Sequence, residues 1–413
     1  MTASVGTVVI GAGQAGLAMS RCLSDRGLPH VVLERGAVAN SWDTQRWESF
    51  RLLSPNWQTR LPGHSYPGRD PDGFMTGAEV VDFLRGYARS FDAPVHTGVE
   101  VLRVRPGPHR SGTAGWRVET DAGVLDADDV VVATGDLARP RVPAISAAVP
   151  PGVRQLHAGD YRRPDRLPAG AVLVVGAGPS GQQIARELAA AGRRVHLAVG
   201  RHKCLPRRYR GRDAYWWMDR TGMLARTVDS LPGGKPGRTP NAVLAGGTRD
   251  LDVPALVAEG VTAHGRLHDV RGGVAEFADD LPATVEQARG NVDRFRTAVD
   301  AFVAAHGLDV PEEPAPEDAP VPPGPRRLDL AGAGVTAVVW ATGFSRDLSF
   351  VDAPILDRTG TPRHHRGVTD APGLFLLGLR WQHRRSSSFL DGVGADAQFL
   401  AERIAARATV VAA

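Results

Sequence analysis

The sequence predicts an α/β chain of two Rossmann-like dinucleotide-binding units, the second inserted into the first, and three observations carry that prediction. An apolar strand runs into the turn Gly11-Ala-Gly-Gln-Ala-Gly16. The arrangement returns 165 positions later, where another apolar strand meets Gly176-Ala-Gly-Pro-Ser-Gly181. Strands that break at Ala-Thr-Gly also occur twice, at Thr134-Gly135 and at Thr342-Gly343. Two such units in one chain most simply bind two dinucleotides.

The first turn has the residue types that the chemistry requires. After Val8, Val9 and Ile10, one glycine bends the chain, one lets backbone approach a pyrophosphate and one lets a helix pack on the strand. Phosphate then lies at the amino end of a helix expected over residues 17–26, where free N–H groups and the dipole favour negative charge. A hexapeptide of this kind is a weak signal alone, since glycine-rich turns also make plain structural corners. Its context strengthens it: a second strand over residues 28–34 ends in Glu34, roughly 20 residues past the glycines, where a ribose hydroxyl needs an acceptor. The first dinucleotide is therefore expected on Gly11, Gly13, Gln14, Ala15, Gly16, Glu34 and Arg35, with Val101, Thr134 and Gly135 beside it.

Composition sets the bounds. A chain of 413 residues suits two or three domains, and 42% apolar with 23% charged residues describes an ordinary globular protein. No apolar run approaches the roughly 18 residues that cross a bilayer, and the first strand begins too soon for a signal peptide, so the expected location is cytoplasmic. The net charge is only +4, and just Lys203 and Lys235 of the basic residues are lysine. The best basic run, residues 207–212, is too short for a nucleic-acid stripe. Cys22 and Cys204 form no Cys-x-x-Cys and no zinc-ligand spacing. The adjacent His364 and His365 have no acidic cluster to join, so a solvated loop is favoured over a metal site.

Between the units the chain reads less plainly. The tract NSWDTQRWESFRLLSPNWQTRLPG holds Trp42, Trp47, Trp57, Arg46, Arg51 and Arg60, as core filling for a loop or as a frame for a flat aromatic ring. Thr76 caps a helix over residues 77–91, and residues 95–104, 116–120 and 124–133 alternate as strands of a small antiparallel sheet. Pro140 and Pro143 mark a stiff crossing. The expected division is a first unit over 1–140, an inserted unit over 141–325 and a return to the first unit over 326–413.

The second unit repeats strand, turn and helix (residues 182–191), then a strand over 195–199. That strand ends in Gly200-Arg201-His202-Lys203 without an acid. An acid selects an unmodified ribose, whereas arginine accommodates a 2′-phosphate, so the first turn suits FAD and the second NADPH. The alternative is that Arg201 is an exposed loop cation. The second dinucleotide is expected on Gly176, Gly178, Pro179, Ser180, Gly181, Arg201 and His202. Residues 205–325 are the least legible, with a packed helix over 281–306 and an acidic, proline-rich, extended connector over 311–325. The chain is expected back in the first unit with the strand ending Ala341-Thr342-Gly343. Gly392-Val-Gly-Ala-Asp396 then opens a last helix over 397–406, whose positive end could face a flavin's pyrimidine side.

Taken in order, GAGQAG, Glu34, Ala-Thr-Gly, GAGPSG and Ala-Thr-Gly-Phe resemble the class B flavoprotein monooxygenases over nearly the whole chain, above all the bacterial flavin-containing monooxygenase-like proteins. Related N-hydroxylating and Baeyer–Villiger enzymes share the pattern. Residues 41–55 are similar to that family's segment near the isoalloxazine, which adds Trp42 and Arg46 to the expected flavin contacts, with Ala341, Thr342, Gly343 and Asp396 on the returning chain. His157-Ala-Gly-Asp-Tyr161 fits the second half of the family's linker fingerprint F-x-G-x-x-x-H-x-x-x-F/Y; Pro151 and Val153 stand where Phe and Gly belong.

The resemblance implies an NADPH-dependent FAD monooxygenase acting on a small molecule and dioxygen. Hydride passes to FAD, dioxygen adds at flavin C4a, and one oxygen atom goes to a nucleophilic nitrogen or sulfur, or alternatively to a ketone. No spacing marks a catalytic base, although Asn56, Gln58, His383 and Arg384 invite testing. A reductase of disulfides or proteins and a redox-sensing flavoprotein are the rival readings; the lack of Cys-x-x-Cys opposes the first, and the second glycine turn opposes the other. Substrate and oligomeric state are not legible.

Overall fold

The computed structural model describes residues 3–108, 114–234, 242–244, 246–314 and 321–412. Part of the proline-rich connector, residues 315–320, lies outside them. Among the described residues two parallel sheets organise the chain. In the first, Leu374–Leu376, Gly123–Val132, Ala3–Ile10, His30–Glu34 and Val95–Thr97 lie side by side and parallel. In the second the parallel order is Arg154–His157, Val335–Trp340, Ala171–Val175, Val195–Ala198, Thr262–His264. Strands covered on both faces must be apolar throughout, and Val8, Val9, Val130, Val131, Val172 and Val174 are all fully buried.

Each glycine turn leads into a helix, Gln14–Ser24 in the first unit and Pro179–Ala190 in the second. Both begin before the expected starts at 17 and 182, because the last two glycines of each turn sit at the cap and inside the first turn. The helix Gln14–Ser24 packs against the long final helix Val393–Ala412, burying Leu17, Leu23, Leu400 and Ile404 in one core. The helix Gly77–Arg89 ends before residue 91 and carries a capping box in which Glu79 N–H donates to the Thr76 hydroxyl and Thr76 N–H to the Glu79 carboxylate. Such a cap contributes about 1 kcal/mol.

Two expectations fail. Residues 95–104 are not one antiparallel strand: Val95–Thr97 extends the parallel sheet beside Glu34, and only Val101–Pro108 turns into the antiparallel ribbon with Ala114–Thr120. More important, Val335–Trp340, read as the return to the first unit, lies inside the second sheet, in register with Ala171–Val175. It is apolar throughout because it is central there. The chain comes back only with Phe344–Ser345, which pairs antiparallel with the outgoing Arg139–Pro140.

The two crossings are thereby tied together. Arg141 N–H donates to Gly343 O at 2.9 Å, and Arg139 and Arg346 pair with Asp347 and Asp136. His157 locks the joint: its Nε2–H donates to Gly343 O at 2.9 Å while its Nδ1 accepts Gly159 N–H at 3.1 Å, fixing the tautomer. The Phe344 ring meets His157 edge-on at 4.5 Å. Tyr161, the fingerprint's last residue, is fully buried beside Glu187, and burial raises its pKa. The preserved half of the linker motif thus acts as an inter-unit staple.

Candidate dinucleotide sites

The two glycine turns are built alike. Gly11 has φ +104° and Gly176 φ +111°, values that favour glycine. A Cβ on Gly11 would lie 2.8 Å from Ala133 O, and one on Gly176 2.6 Å from Ala341 O. Gly16 and Gly181 approach Gly11 O and Gly176 O so closely that a Cβ would come within 1.8 Å. Each Ala-Thr-Gly therefore lies against its own turn: Thr134 and Gly135 serve the first, and Ala341, Thr342 and Gly343 serve the second. The latter three were expected on the chain's return to the first unit, and they lie at the second turn because their strand is a neighbour of Ala171–Val175.

The middle glycines differ from the others in a telling way. A Cβ on Gly13 or Gly178 would meet no protein atom within 4 Å. Each is the N-cap of its helix, and neither helix has a side-chain cap. Their leading N–H groups are thus left to a ligand, in an open cradle at a positive helix end, the arrangement a pyrophosphate fits. Pro179 occupies the first turn, where its missing N–H costs nothing. Both turns pass this test as dinucleotide sites.

Around the first turn the expected residues take distinct parts. Glu34 is buried, and its carboxylate accepts Ala12 N–H at 2.8 Å and Gly36 N–H at 3.0 Å, so it holds the turn in shape while keeping lone pairs for a ribose. Arg35 is exposed, and Val101 is half-buried at the start of its strand. Ala15 is buried under the turn, with its Cβ approached by Gly378. Gln14 donates from Nε2 to Ser388 O at 2.8 Å, which ties the turn to the loop before the last helix.

The aromatic tract divides. Trp47 and Phe50 are core residues in edge-on contact at 5.2 Å, whereas Trp42 and Arg46 are half-buried, the guanidinium 4.9 Å from the indole centre. Burial lowers the Arg46 pKa to about 10, which leaves it cationic at neutral pH. Trp57 packs instead on the cluster around Tyr215 and Trp217. Asp396 lies in the first turn of the helix Val393–Ala412, and its Oδ2 is buried with no partner among the described residues. Burial raises its pKa.

Asn56 is structural, donating to Asp70 O and accepting Met75 N–H, both at 2.9 Å. Gln58, two residues on, is 1% exposed, and neither end of its amide has a partner among the described residues. The backbone N–H groups of His383 and Arg384 donate to Ser387 Oγ, so these two residues shape the loop before the last helix.

At the second turn Arg201 is exposed, while His202 is turned inward, 4% exposed, its Nδ1–H donating to Gly200 O at 3.0 Å. Burial lowers its pKa, so it is a neutral imidazole at neutral pH. Ser180 is half-buried at the helix start.

Sequence reasoning missed Tyr215, Arg380, Arg385 and Asp391, which gather between the units. Burial raises the Asp391 pKa to about 6 and the Tyr215 pKa to about 12. The available signal was the run Gln382-His-Arg-Arg-Ser directly ahead of the glycine-rich start of the last helix. Among the described residues no group of three or more His, Cys, Asp and Glu could hold a metal ion, and no helix is long and apolar enough to cross a membrane.

Comparison with known proteins agrees with this geometry. The model of the pyridine nucleotide-disulphide oxidoreductase family matches residues 8–212. An uncharacterized CzcO-like oxidoreductase of Geobacillus kaustophilus is 32% identical over 400 residues, covering 96% of this chain and 97% of its own. Among solved structures, a flavin-containing monooxygenase from Stenotrophomonas maltophilia has a TM-score of 0.68 at 22% identity, over 98% of this chain and 100% of its own. A bacillithiol disulfide reductase from Staphylococcus aureus has a TM-score of 0.63 at 14% identity, over 98% and 99%. On the strength of the nearly full-length relative, the chain belongs to the CzcO-like oxidoreductases.

Proposed function

We propose that the protein is an FAD- and NADPH-dependent monooxygenase that inserts one oxygen atom into a small organic substrate, at a nucleophilic nitrogen or sulfur. The observation that carries the reading is the pair of matched, uncapped glycine turns, with an acid at the ribose position of the first and an arginine at that of the second. FAD held on the first turn supplies hydride acceptance from NADPH and activation of dioxygen. The chain's own residues bind, orient and exclude water. Gly13 and the N–H groups after it take the FAD pyrophosphate, and Glu34 takes the adenosine ribose. Trp42 and Arg46 frame the ring, while Arg201 takes the NADPH 2′-phosphate. The positive end of the helix Val393–Ala412 would favour negative charge on a flavin held beside it.

The fold also hosts a disulfide reductase, so fold alone does not choose the reaction. The cysteines do. Cys22 and Cys204 are both buried and unpaired, and burial pushes the Cys22 thiol up to about 11 and raises that of Cys204. Neither supplies the thiolate that exchange with a disulfide requires.

The test is anaerobic reduction of the flavin-loaded protein by NADPH and, separately, NADH, followed by mixing with air-saturated buffer. Reduction that prefers NADPH, and a spectrum distinct from both reduced and oxidised flavin that persists before oxidised flavin returns, supports oxygen transfer. Immediate return of oxidised flavin refutes it. A double Cys22→Ala, Cys204→Ala protein should consume NADPH as the parent does; loss of that consumption would favour the reductase.

A further inference from the structure

Trp381 stands apart from the other seven tryptophans of the chain. Each of those seven packs into a hydrophobic cluster, and Trp116, Trp217 and Trp340 also donate their indole N–H to an oxygen at 3.1, 2.7 and 3.0 Å. Trp381 is half-buried, yet among the described residues it joins no cluster and no ring or cation contact, and its indole N–H has no hydrogen-bond partner. Its backbone is costly as well: φ is +56°, a left-handed setting that a bulky side chain rarely adopts and that persists only where the surroundings impose it.

A turn imposes it. Gln382 N–H donates to Leu379 O and Leu379 N–H to Gln382 Oε1, both at 3.2 Å, so Trp381 occupies the second central position of a four-residue turn, where a positive φ calls for glycine. The turn follows directly on Leu374–Leu376, at the carboxyl end of the first parallel sheet, the end at which ligands of such sheets lie. On one side Gly378 would place a Cβ 2.9 Å from that of Ala15, in the first glycine turn. On the other, Val228 N–H donates to His383 O at 2.7 Å and Arg385 N–H to Arg226 O at 3.0 Å. Trp381 is thus carried between the first glycine turn and the second unit, with a large ring that the protein itself does not use.

We propose that Trp381 is a platform on which the nicotinamide ring of NADP⁺ stacks. This rests on the NADPH reading of the second turn and adds to it a contact from the opposite unit. Of the two cofactor rings that must meet for hydride transfer, the flavin has Trp42 and Arg46 beside it, whereas the nicotinamide has to reach out of the second unit, across the space that Trp381 borders. The oxidised nicotinamide is a cationic ring, and indole is the aromatic face that attracts a cation most strongly. Stacking also covers indole surface that the folded chain leaves unpacked.

The experiment is calorimetric titration of the oxidised, flavin-loaded protein with NADP⁺ and with 2′-phospho-ADP-ribose, which is NADP⁺ without its nicotinamide, on the parent, Trp381→Phe, Trp381→Leu and Trp381→Gly. The parent should bind NADP⁺ about tenfold or more tighter than the ringless probe. That ratio should be largely kept in Trp381→Phe and fall about fivefold or more in Trp381→Leu and Trp381→Gly. Without NADP⁺, Trp381→Gly should melt near or above the parent, because glycine relieves the left-handed backbone and no packed side chain is lost. Trp381→Leu keeps an apolar side chain, so the contrast with Trp381→Phe stands even where the glycine variant is unstable. The same ratio in Trp381→Leu as in the parent overturns the proposal, and a flavin spectrum already altered in that variant before NADP⁺ is added then assigns the indole to the flavin. A parent that binds both probes alike fails this proposal alone; a parent that binds neither fails the NADPH reading of the second turn and this proposal with it.

Discussion

Replacing Gly178 by alanine separates a glycine kept for a ligand from a glycine kept for the fold. Gly178 has φ −74° and ψ −178°, an extended conformation open to any residue, and a Cβ there meets no protein atom within 4 Å. The folded chain therefore loses only the difference between glycine and alanine at an N-cap, about 0.5–1 kcal/mol. A pyrophosphate in the cradle would be pushed off at least one N–H, a charge-assisted bond of about 1.5–3 kcal/mol, which is roughly 10- to 150-fold in NADPH affinity. Gly181→Ala is the contrasting control, since its Cβ would lie 1.8 Å from Gly176 O and the second unit cannot pack. The assay pairs thermal unfolding with titration of NADPH onto the oxidised, flavin-loaded protein. Gly178→Ala should melt nearly as the parent does and bind NADPH at least about tenfold more weakly. Affinity within about twofold of the parent, or destabilisation equal to that of Gly181→Ala, would refute the reasoning.

Three further outcomes are expected. Glu34→Gln keeps one acceptor but turns an NH₂ group toward Ala12 N–H or Gly36 N–H, so it should cost about 1–3 kcal/mol and release FAD on gel filtration; an unchanged melting temperature contradicts this. Arg201→Ser should lower the preference for NADPH over NADH about tenfold in anaerobic reduction, and an unchanged ratio leaves Arg201 a plain surface cation. His196 shares a hydrogen bond of 3.0 Å with His264, and burial and the neighbouring imidazole lower its pKa from 6.5 to about 4. The unfolded chain binds the extra proton first, so this contribution is complete above pH 6.5 and is lost as pH falls toward 4. Denaturant midpoints should drop over that window, and His196→Gln should make the drop shallower.

The sequence alone determined both glycine turns, because their constraints are local. A backbone at positive φ, a helix packed on a strand and an acid or arginine at the next strand's end are all written within about 30 residues. Glu34 beside the first turn was legible for that reason, and so was the helix Leu281–His306, whose apolar period is its own signal. Only tertiary structure decided which sheet receives Val335–Trp340, since an apolar strand fits any central position and its partner Ala171–Val175 is 160 residues away. His202 turned inward for a similar reason: burial, not residue type, sets whether an imidazole is charged.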